Sequence, residues 1–260
     1  MVLIGRNEKR LNETAEACKG KGAAVTTFIC DLRDREKMEK FLFEEDDKAP
    51  IDLILAAAGV MIPQCGRTED YAVVTRELFS INVDGTFNTI LPLLNRMKER
   101  RSGQIALFSS GAGLCSQPMN PIYSPTKVTL MSYGEALRFA MREYNVYVNV
   151  VSPGAIKTAM TDVPYLESMQ SSLASVEGMA KAIVYGLSRD FMHIGHLHIV
   201  LYVQENRKQW GIRTIYCTFR LVSIAPVAFA WYHRQEVIVC LQKILQSFMM
   251  LTTTSQIFLP

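Results

Sequence analysis

Two hydrophobic periods take turns along the first 190 residues or so of the chain. Short apolar, β-branched runs cover Val2–Ile4, Ala24–Ile29, Leu53–Ala57, Gln104–Phe108 and Val146–Val151. Continuous runs of this kind suit strands that are covered on both faces. Longer stretches with helical spacing lie between them: Asn7–Lys21, Arg35–Glu45, Asp70–Arg100, Tyr123–Tyr144 and Val176–Ser188. Strands that alternate with helices predict βαβ units, and therefore an α/β doubly wound parallel sheet. The sequence contains no internal repeat and no low-complexity tract. After about residue 190 the rhythm fails. "HIGHLHIVLYV" (193–203) reads as one more strand, and the rest of the tail has no clean period. The chain therefore divides into a regular unit, 1–190, and an atypical segment, 191–260, with at most a further strand and a helix.

Composition narrows the function classes. Apolar residues make up 49% and charged residues 20% of the 260 positions, and the net charge is +3. That is ordinary globular chemistry with too little positive charge to argue for nucleic acid. The densest basic stretch, "RMKERR" (96–101), reads as a solvated helix end. The cysteines at 18, 30, 65, 115, 217 and 240 form no C-x-x-C pair. Scattered thiols of this sort point to a reducing, cytoplasmic setting. The most apolar tail stretch, 215–232, is broken by Arg220 and Pro226. It reads as buried or interfacial, with membrane attachment as the lesser alternative. His193, His196 and His198 suggest a metal, but no Cys, Asp or Glu stands beside them at ligand spacing. No metal is expected.

The chemistry concentrates in "YSPTK" (123–127). Tyr123 and Lys127, four residues apart at a helix start, stack on one face. A free phenol ionises near pH ~10. An ammonium beside it favours the phenolate and readies it to exchange a proton with an alcohol or carbonyl. Pro125 falls in the first turn, where its missing N–H is harmless. Three further motifs surround this pair. "ALFSSGAG" (106–113) ends a strand at Ser109 and Ser110, where open α/β sheets bind ligands. "INVDGT" (81–86) places Asn82 inside a long helix, and "VVSPGAIKT" (150–158) carries Pro153, Gly154 and Thr158 after a strand. Singly, each has a plain structural explanation. Ser110 could cap a turn, Asn82 could kink a helix by bonding to backbone, and Thr158 could be an N-cap.

Together, in this order and spacing, the motifs resemble the short-chain dehydrogenase/reductase family over residues 1 to about 190. The resemblance implies a Rossmann-like fold and an oxidoreductase that moves hydride between a nicotinamide and a carbonyl or secondary alcohol. It implies that Tyr123 is the general acid/base, and that Lys127 tunes it and holds the nicotinamide ribose. Ser110 would bind the substrate oxygen, and Asn82 would anchor a water leading from Lys127. Pro153, Gly154 and Thr158 would line the nicotinamide. Ser109 is the neighbouring candidate for the serine role; the 13-residue spacing to Tyr123 favours Ser110.

"VLIGRN" (2–7) resembles the family's second strand and the turn after it. NAD users place a carboxylate at that turn and NADP users a cation. Here Arg6 and Asn7 stand there, and a guanidinium can fork a phosphate, so NADP(H) is favoured. Asp31, after the third strand of the family pattern, would contact adenine, with an N-cap as its alternative role. Two departures stand out. No G-x-G-x-x-G string occurs, so the chain is expected to lack the family's first strand and phosphate loop. The expected explanation is an incomplete form of a longer protein. Alternatively "HIVLYV" (198–203) fills the slot, or the sheet closes across it. The family's N-N-A-G is "AAAG" here, where Ala58 and Gly59 still allow close backbone approach.

The main competing reading is a non-catalytic binding or assembly protein of the same fold. An epimerase or dehydratase would share Tyr-x-x-x-Lys but needs a larger substrate domain. Met160, Val163, Tyr165, Leu166 and Met169 fall in the family's substrate lid and suggest an apolar small molecule. The resemblance further implies a homo-oligomer paired through the two long helices.

Overall fold

The computed structural model describes residues 1–61, 70–114, 116, 121–158, 161 and 173–195. The strands are β1 (Val2–Gly5), β2 (Thr26–Ile29), β3 (Leu53–Ala56), β4 (Gly103–Phe108), β5 (Val146–Ser152) and β6 (His193–Gly195). The α-helices are α1 (Glu8–Lys19), α2 (Arg35–Lys48), α3 (Tyr71–Phe79), α4 (Gly85–Arg100), α5 (Gly111–Leu114), α6 (Tyr123–Met141) and α7 (Val176–Ser188). Side chains of the expected kind start several of them. Asn7 accepts from Arg10 N, Asp34 from Lys37 N, Asp70 from Ala72 N and Val73 N, and Ser175 from Gly178 N. Each satisfies an amide that the helix's first turn leaves unpaired. The N-cap of α2 is Asp34, so Asp31 is not a cap.

Among the described residues all strand pairings are parallel, as the alternation of periods predicted. They form two ladders, β1–β2 and β3–β4–β5–β6. Among the described residues β1 and β3 do not pair, so the sheet has not closed up between them. The segment 198–203 lies outside the described residues. Of "HIGHLHIVLYV", His193–Gly195 is the described strand, paired with β5.

The continuous apolar strands are explained by β4. Ile105 and Leu107 point into a core shared with α2, α4 and α6. Ala106 and Phe108 point into a second core, shared with α7. Alternating residues thus serve opposite faces, and a polar residue on either face would be buried. Gly134 brings α6 onto the sheet. A Cβ there would lie 2.6 Å from Val150 Cγ2 and 3.0 Å from Leu107 Cδ1, so a larger residue would lift the helix.

The basic stretch at the end of α4 is not a freely solvated face. Arg100 Nη1 lies 2.8 Å from Asp46 Oδ1, and Arg96 reaches both Asp46 and Asp47. Asp46 is buried and also accepts from Ile51 N. Burial is the largest influence on its carboxyl and pushes the pKa up. The Ile51 amide and the two guanidiniums outweigh it, and the net shift is downward. This clamp ties α2 to α4 beneath the first core.

Candidate active site

The carboxyl end of β4 is the centre of the site. Ser109 N donates to Val151 O at 2.7 Å and Gly111 N to Pro153 O at 2.8 Å, so the strand end stays joined to the chain leaving β5. That joint brings Pro153 beside the serine turn. Ser110 Oγ accepts from Ala112 N at 3.2 Å, which confirms its turn-capping role and fixes its position at the head of α5.

Tyr123 and Lys127 lie on the first turns of α6, both buried. Lys127 Nζ is 5.7 Å from the Tyr123 ring centre and donates to Phe108 O at 3.0 Å. The two groups therefore share one environment at the strand end. Burial pushes the Lys127 pKa down to about 8. At neutral pH it remains an ammonium, and one stripped of water acts strongly on a neighbouring phenol.

Asn82 sits in a π-helical turn, Ser80–Asp84, between α3 and α4. The single stretch expected over Asp70–Arg100 is thus two α-helices joined by a wider turn, a feature often found at functional sites. Asn82 is fully buried. Its Oδ1 accepts from Val60 N at 2.8 Å, and its Nδ2 donates to Val60 O at 3.0 Å and to Thr126 Oγ1 at 3.1 Å. Thr126 Oγ1 in turn donates to Tyr123 O at 2.7 Å. The asparagine thereby steadies the "AAAG" loop, whose own amide side chains are absent, and ties it to the helix of Tyr123. Its side chain is committed to protein partners, which matches the backbone-bonding alternative for this residue.

Gly59, next to Ala58 in the chain, lies against the lysine tip. A Cβ on Gly59 would lie 3.0 Å from Lys127 Nζ and 3.4 Å from Asn82 Oδ1. The structure thus brings Asn82, Gly59, Tyr123 and Lys127 together, while Ser110 precedes Gly111, whose amide meets Pro153 O, and Ala58 and Gly154 adjoin these residues along the chain. Thr158 follows on the chain leaving β5. Its amide donates to Thr161 Oγ1 and its hydroxyl to Ile156 O, so the hydroxyl is occupied by backbone. Met160, Val163, Tyr165, Leu166 and Met169 lie outside the described residues, as do His196, His198 and the stretch 215–232.

A second group sits at the carboxyl ends of β1 and β2. Asn7 Oδ1 is occupied as the cap of α1. Arg6 Nη1 lies 3.4 Å from Asp31 Oδ2, and Arg33 Nη2 lies 2.7 Å from the same oxygen. The hydrogen bond from Arg33 chiefly holds the Asp31 pKa down, to about 2, with weaker help from Arg6. Arg33 was not singled out from sequence. The D-x-R spacing of "CDLRD" was the available signal, since two residues on is where an Asp side chain meets the backbone of a turn. Thr126 was also passed over, although it lies inside the motif that drew attention. The described helices include none long and apolar enough to cross a membrane.

The comparisons point to one family. The family model for the short chain dehydrogenases matches residues 1–165. The 2,3-dihydro-2,3-dihydroxybenzoate dehydrogenase of Bacillus subtilis is 27% identical over 195 residues, 74% of this chain and 70% of that one. The 3-ketodihydrosphingosine reductase of Bos taurus is 30% identical over 199 residues, covering 71% of this chain and 59% of the relative. The short-chain dehydrogenase from Sphingobium yanoikuyae, solved in complex with NADPH, superposes with a TM-score of 0.66 at 19% identity, covering 85% of this chain and 89% of that one. The fold, the ordered motifs and the matched length make this chain a member of the short-chain dehydrogenase/reductase family of oxidoreductases.

Proposed function

We propose that the protein reduces a ketone, or oxidises the corresponding secondary alcohol, by a proton relay through Tyr123, Lys127 and Ser110, with NADP(H) as the preferred cofactor. The observation that carries this reading is the buried Lys127 ammonium, held by Phe108 O beside Tyr123 at the strand end. Gly59 suits this reading because even one added carbon there would crowd Nζ, so a bare backbone keeps the ammonium in its place. Lys127 would hold the ribose hydroxyls, and Ala58, Gly59, Pro153, Gly154 and Thr158 would border the ring. The bound cofactor supplies the hydride.

The chain's own residues handle the proton. Ser110 Oγ donates a hydrogen bond to the substrate oxygen and orients it toward Tyr123. Tyr123 Oη gives its proton to that oxygen in reduction and takes it back in oxidation. Lys127 lowers the cost of the phenolate left behind. Asn82 keeps the loop and the helix in register, and its place beside Lys127 suits a water path to solvent. Arg6 is the cation for the 2′-phosphate, and Asp31 borders the adenine end. The keto substrate named for the bovine relative is consistent with this chemistry.

Exposed apolar side chains on the two long helices, Leu91 on α4 and Val128 and Phe139 on α6, support pairing of two copies through these helices. A dimeric or tetrameric mass in solution checks this, and a monomer at micromolar concentration refutes it.

Nicotinamide fluorescence tests the cofactor reading. NADPH added to the 260-residue protein should bind with enhanced emission, and Tyr123→Phe should keep that binding while losing at least about 100-fold in turnover. Lys127→Ala should lose both. Wild-type turnover in Tyr123→Phe overturns the acid/base assignment. Absence of binding at millimolar NADPH would favour a binding or assembly role for this chain.

A further inference from the structure

We infer that Ser109, the neighbour of the substrate-binding serine, is a positioning residue that clasps Lys127 to the end of β4. The inference rests on the relay reading only for its catalytic consequence. Its physical basis is independent. Two consecutive residues, the last of β4 and the one that follows it, hold both ends of one lysine. Phe108 O accepts from Lys127 Nζ at 3.0 Å, and Ser109 Oγ donates to Lys127 O at 2.8 Å. Ser109 is itself fixed, because its amide donates to Val151 O at 2.7 Å. The main chain of Lys127 is therefore tied to the central strands through a side-chain hydroxyl, and the ammonium through a backbone carbonyl.

Gly113 closes the clasp from the other side. A Cβ at this position would lie 2.5 Å from Ser109 Oγ and 3.0 Å from Lys127 O. Such a contact admits no side chain without displacing the hydroxyl. The α5 turn is thus pressed against the Ser109–Lys127 hydrogen bond, and water has no room to replace it. Ser110, the next residue, is the one proposed to meet the substrate. The clasp consequently sets the distance between Ser110 on the strand end and Tyr123 one turn up the helix from Lys127. A serine whose hydroxyl only satisfied itself locally would not need to cross from strand to helix.

Among the described residues, the groups placed about Lys127 Nζ are neutral: the Tyr123 ring from its own helix, Phe108 O from β4, Asn82 from the π turn, and the Gly59 backbone. Burial is what pushes its proton affinity down, so that affinity reports on how tightly the site is closed.

The experiment labels lysine with carbon-13 at Cε and follows the Lys127 signal with pH, identified by its loss in Lys127→Met. In the wild type the signal should titrate near pH 8. In Ser109→Ala, which removes one oxygen and adds no bulk, the midpoint should rise by half a pH unit or more as water reaches Nζ. Turnover should fall at least about tenfold once normalised to folded protein. An unmoved midpoint in a folded Ser109→Ala protein overturns the clasp. Gly113→Ala supplies the second test, because it should displace the same hydroxyl. Ser109→Ala/Gly113→Ala should be no more impaired than Gly113→Ala alone, and multiplied penalties overturn the inference. If the wild type shows no turnover, the relay reading fails, and the titration still judges the clasp.

Discussion

The ammonium of Lys127 and the α-carbon of Gly59 face each other across a gap too small for a methyl group. A Cβ on Gly59 would sit 3.0 Å from Nζ. The neighbour that must yield is the tip of a flexible side chain, not backbone. Gly59→Ala should therefore fold with a loss of stability of no more than about 1–2 kcal/mol. The displaced ammonium should nevertheless leave its bond to Phe108 O and its position beside Tyr123. We expect a tenfold or greater drop in kcat, from roughly 1.4 kcal/mol of lost transition-state stabilisation. Thermal melting and steady-state kinetics on the same preparation check both halves. A variant that loses stability and keeps kcat would show that Nζ has no fixed place in the reaction.

Lys127 is expected to oppose folding while serving catalysis. Its pKa falls from 10.5 to about 8 through burial, so the native state binds its proton less well than the unfolded chain does. Below pH 8 the group is charged in both states, and the full penalty applies, roughly 3 kcal/mol. Between pH 8 and 10.5 the unfolded chain binds more protons, so stability rises with pH across that window. Lys127→Met removes the titration. The stability of the wild type relative to Lys127→Met should climb from pH 7.5 to pH 10, measured as denaturant midpoints at matched ionic strength. At pH 7 the variant should be at least as stable as the wild type despite losing turnover, a trade-off common at active sites. A difference independent of pH would mean that Lys127 is hydrated.

Asn82 is the most heavily bonded polar side chain of the site, with three partners on two separate segments. Asn82→Ala would leave Val60 N and Val60 O without those bonds inside the protein. Unfolding should cost roughly 2–4 kcal/mol less. The loop holding Ala58 and Gly59 should loosen at the same time. Hydrogen exchange of the Val60 amide should speed up at least about 100-fold, matching nearly 3 kcal/mol of lost protection. Unchanged exchange at Val60 would place the amide's protection elsewhere.

The alternation of apolar runs and helical stretches was sufficient to predict the parallel α/β fold, because Ile105/Leu107 and Ala106/Phe108 must each meet a different layer. The Tyr123/Lys127 pair was legible for the same reason: helical spacing fixes which side chains stack. What escaped were contacts that depend on pairing between distant segments. Asn82 as the clamp of Val60, Ser109 as a partner of Lys127 O, and Arg33 beside Asp31 each need a specific meeting of backbones. The wide turn at Ser80–Asp84 was also hidden, since a π turn adds one residue to a ring without changing the apolar stripe visibly. Arg96 and Arg100 were misread as solvated because their partner, Asp46, lies fifty residues upstream.

The Arg6–Asp31–Arg33 group offers a charge test of cofactor preference. Arg6 and Arg33 share Asp31 Oδ2, at 3.4 and 2.7 Å, so the trio carries one net positive charge. A 2′-phosphate gains from that charge, and a plain ribose hydroxyl gains little. Arg6 is the looser partner and half-exposed, free to turn toward a ligand, whereas Arg33 is locked on the carboxylate by bonds to both oxygens. Arg6→Ala leaves the trio neutral. Its KM for NADPH should rise about tenfold or more, with KM for NADH nearly unchanged, consistent with the loss of one charge-assisted hydrogen bond of roughly 1.5–3 kcal/mol. Arg33→Ala should act differently. It frees the Asp31 carboxylate as an acceptor, so NADPH should weaken while NADH holds or improves. Higher salt should narrow the NADPH-to-NADH ratio in the wild type and leave it flat in Arg6→Ala, because only the former relies on an exposed cation. Equal losses for both cofactors in Arg6→Ala would assign the guanidinium to the folded surface and leave the 2′-phosphate to another group.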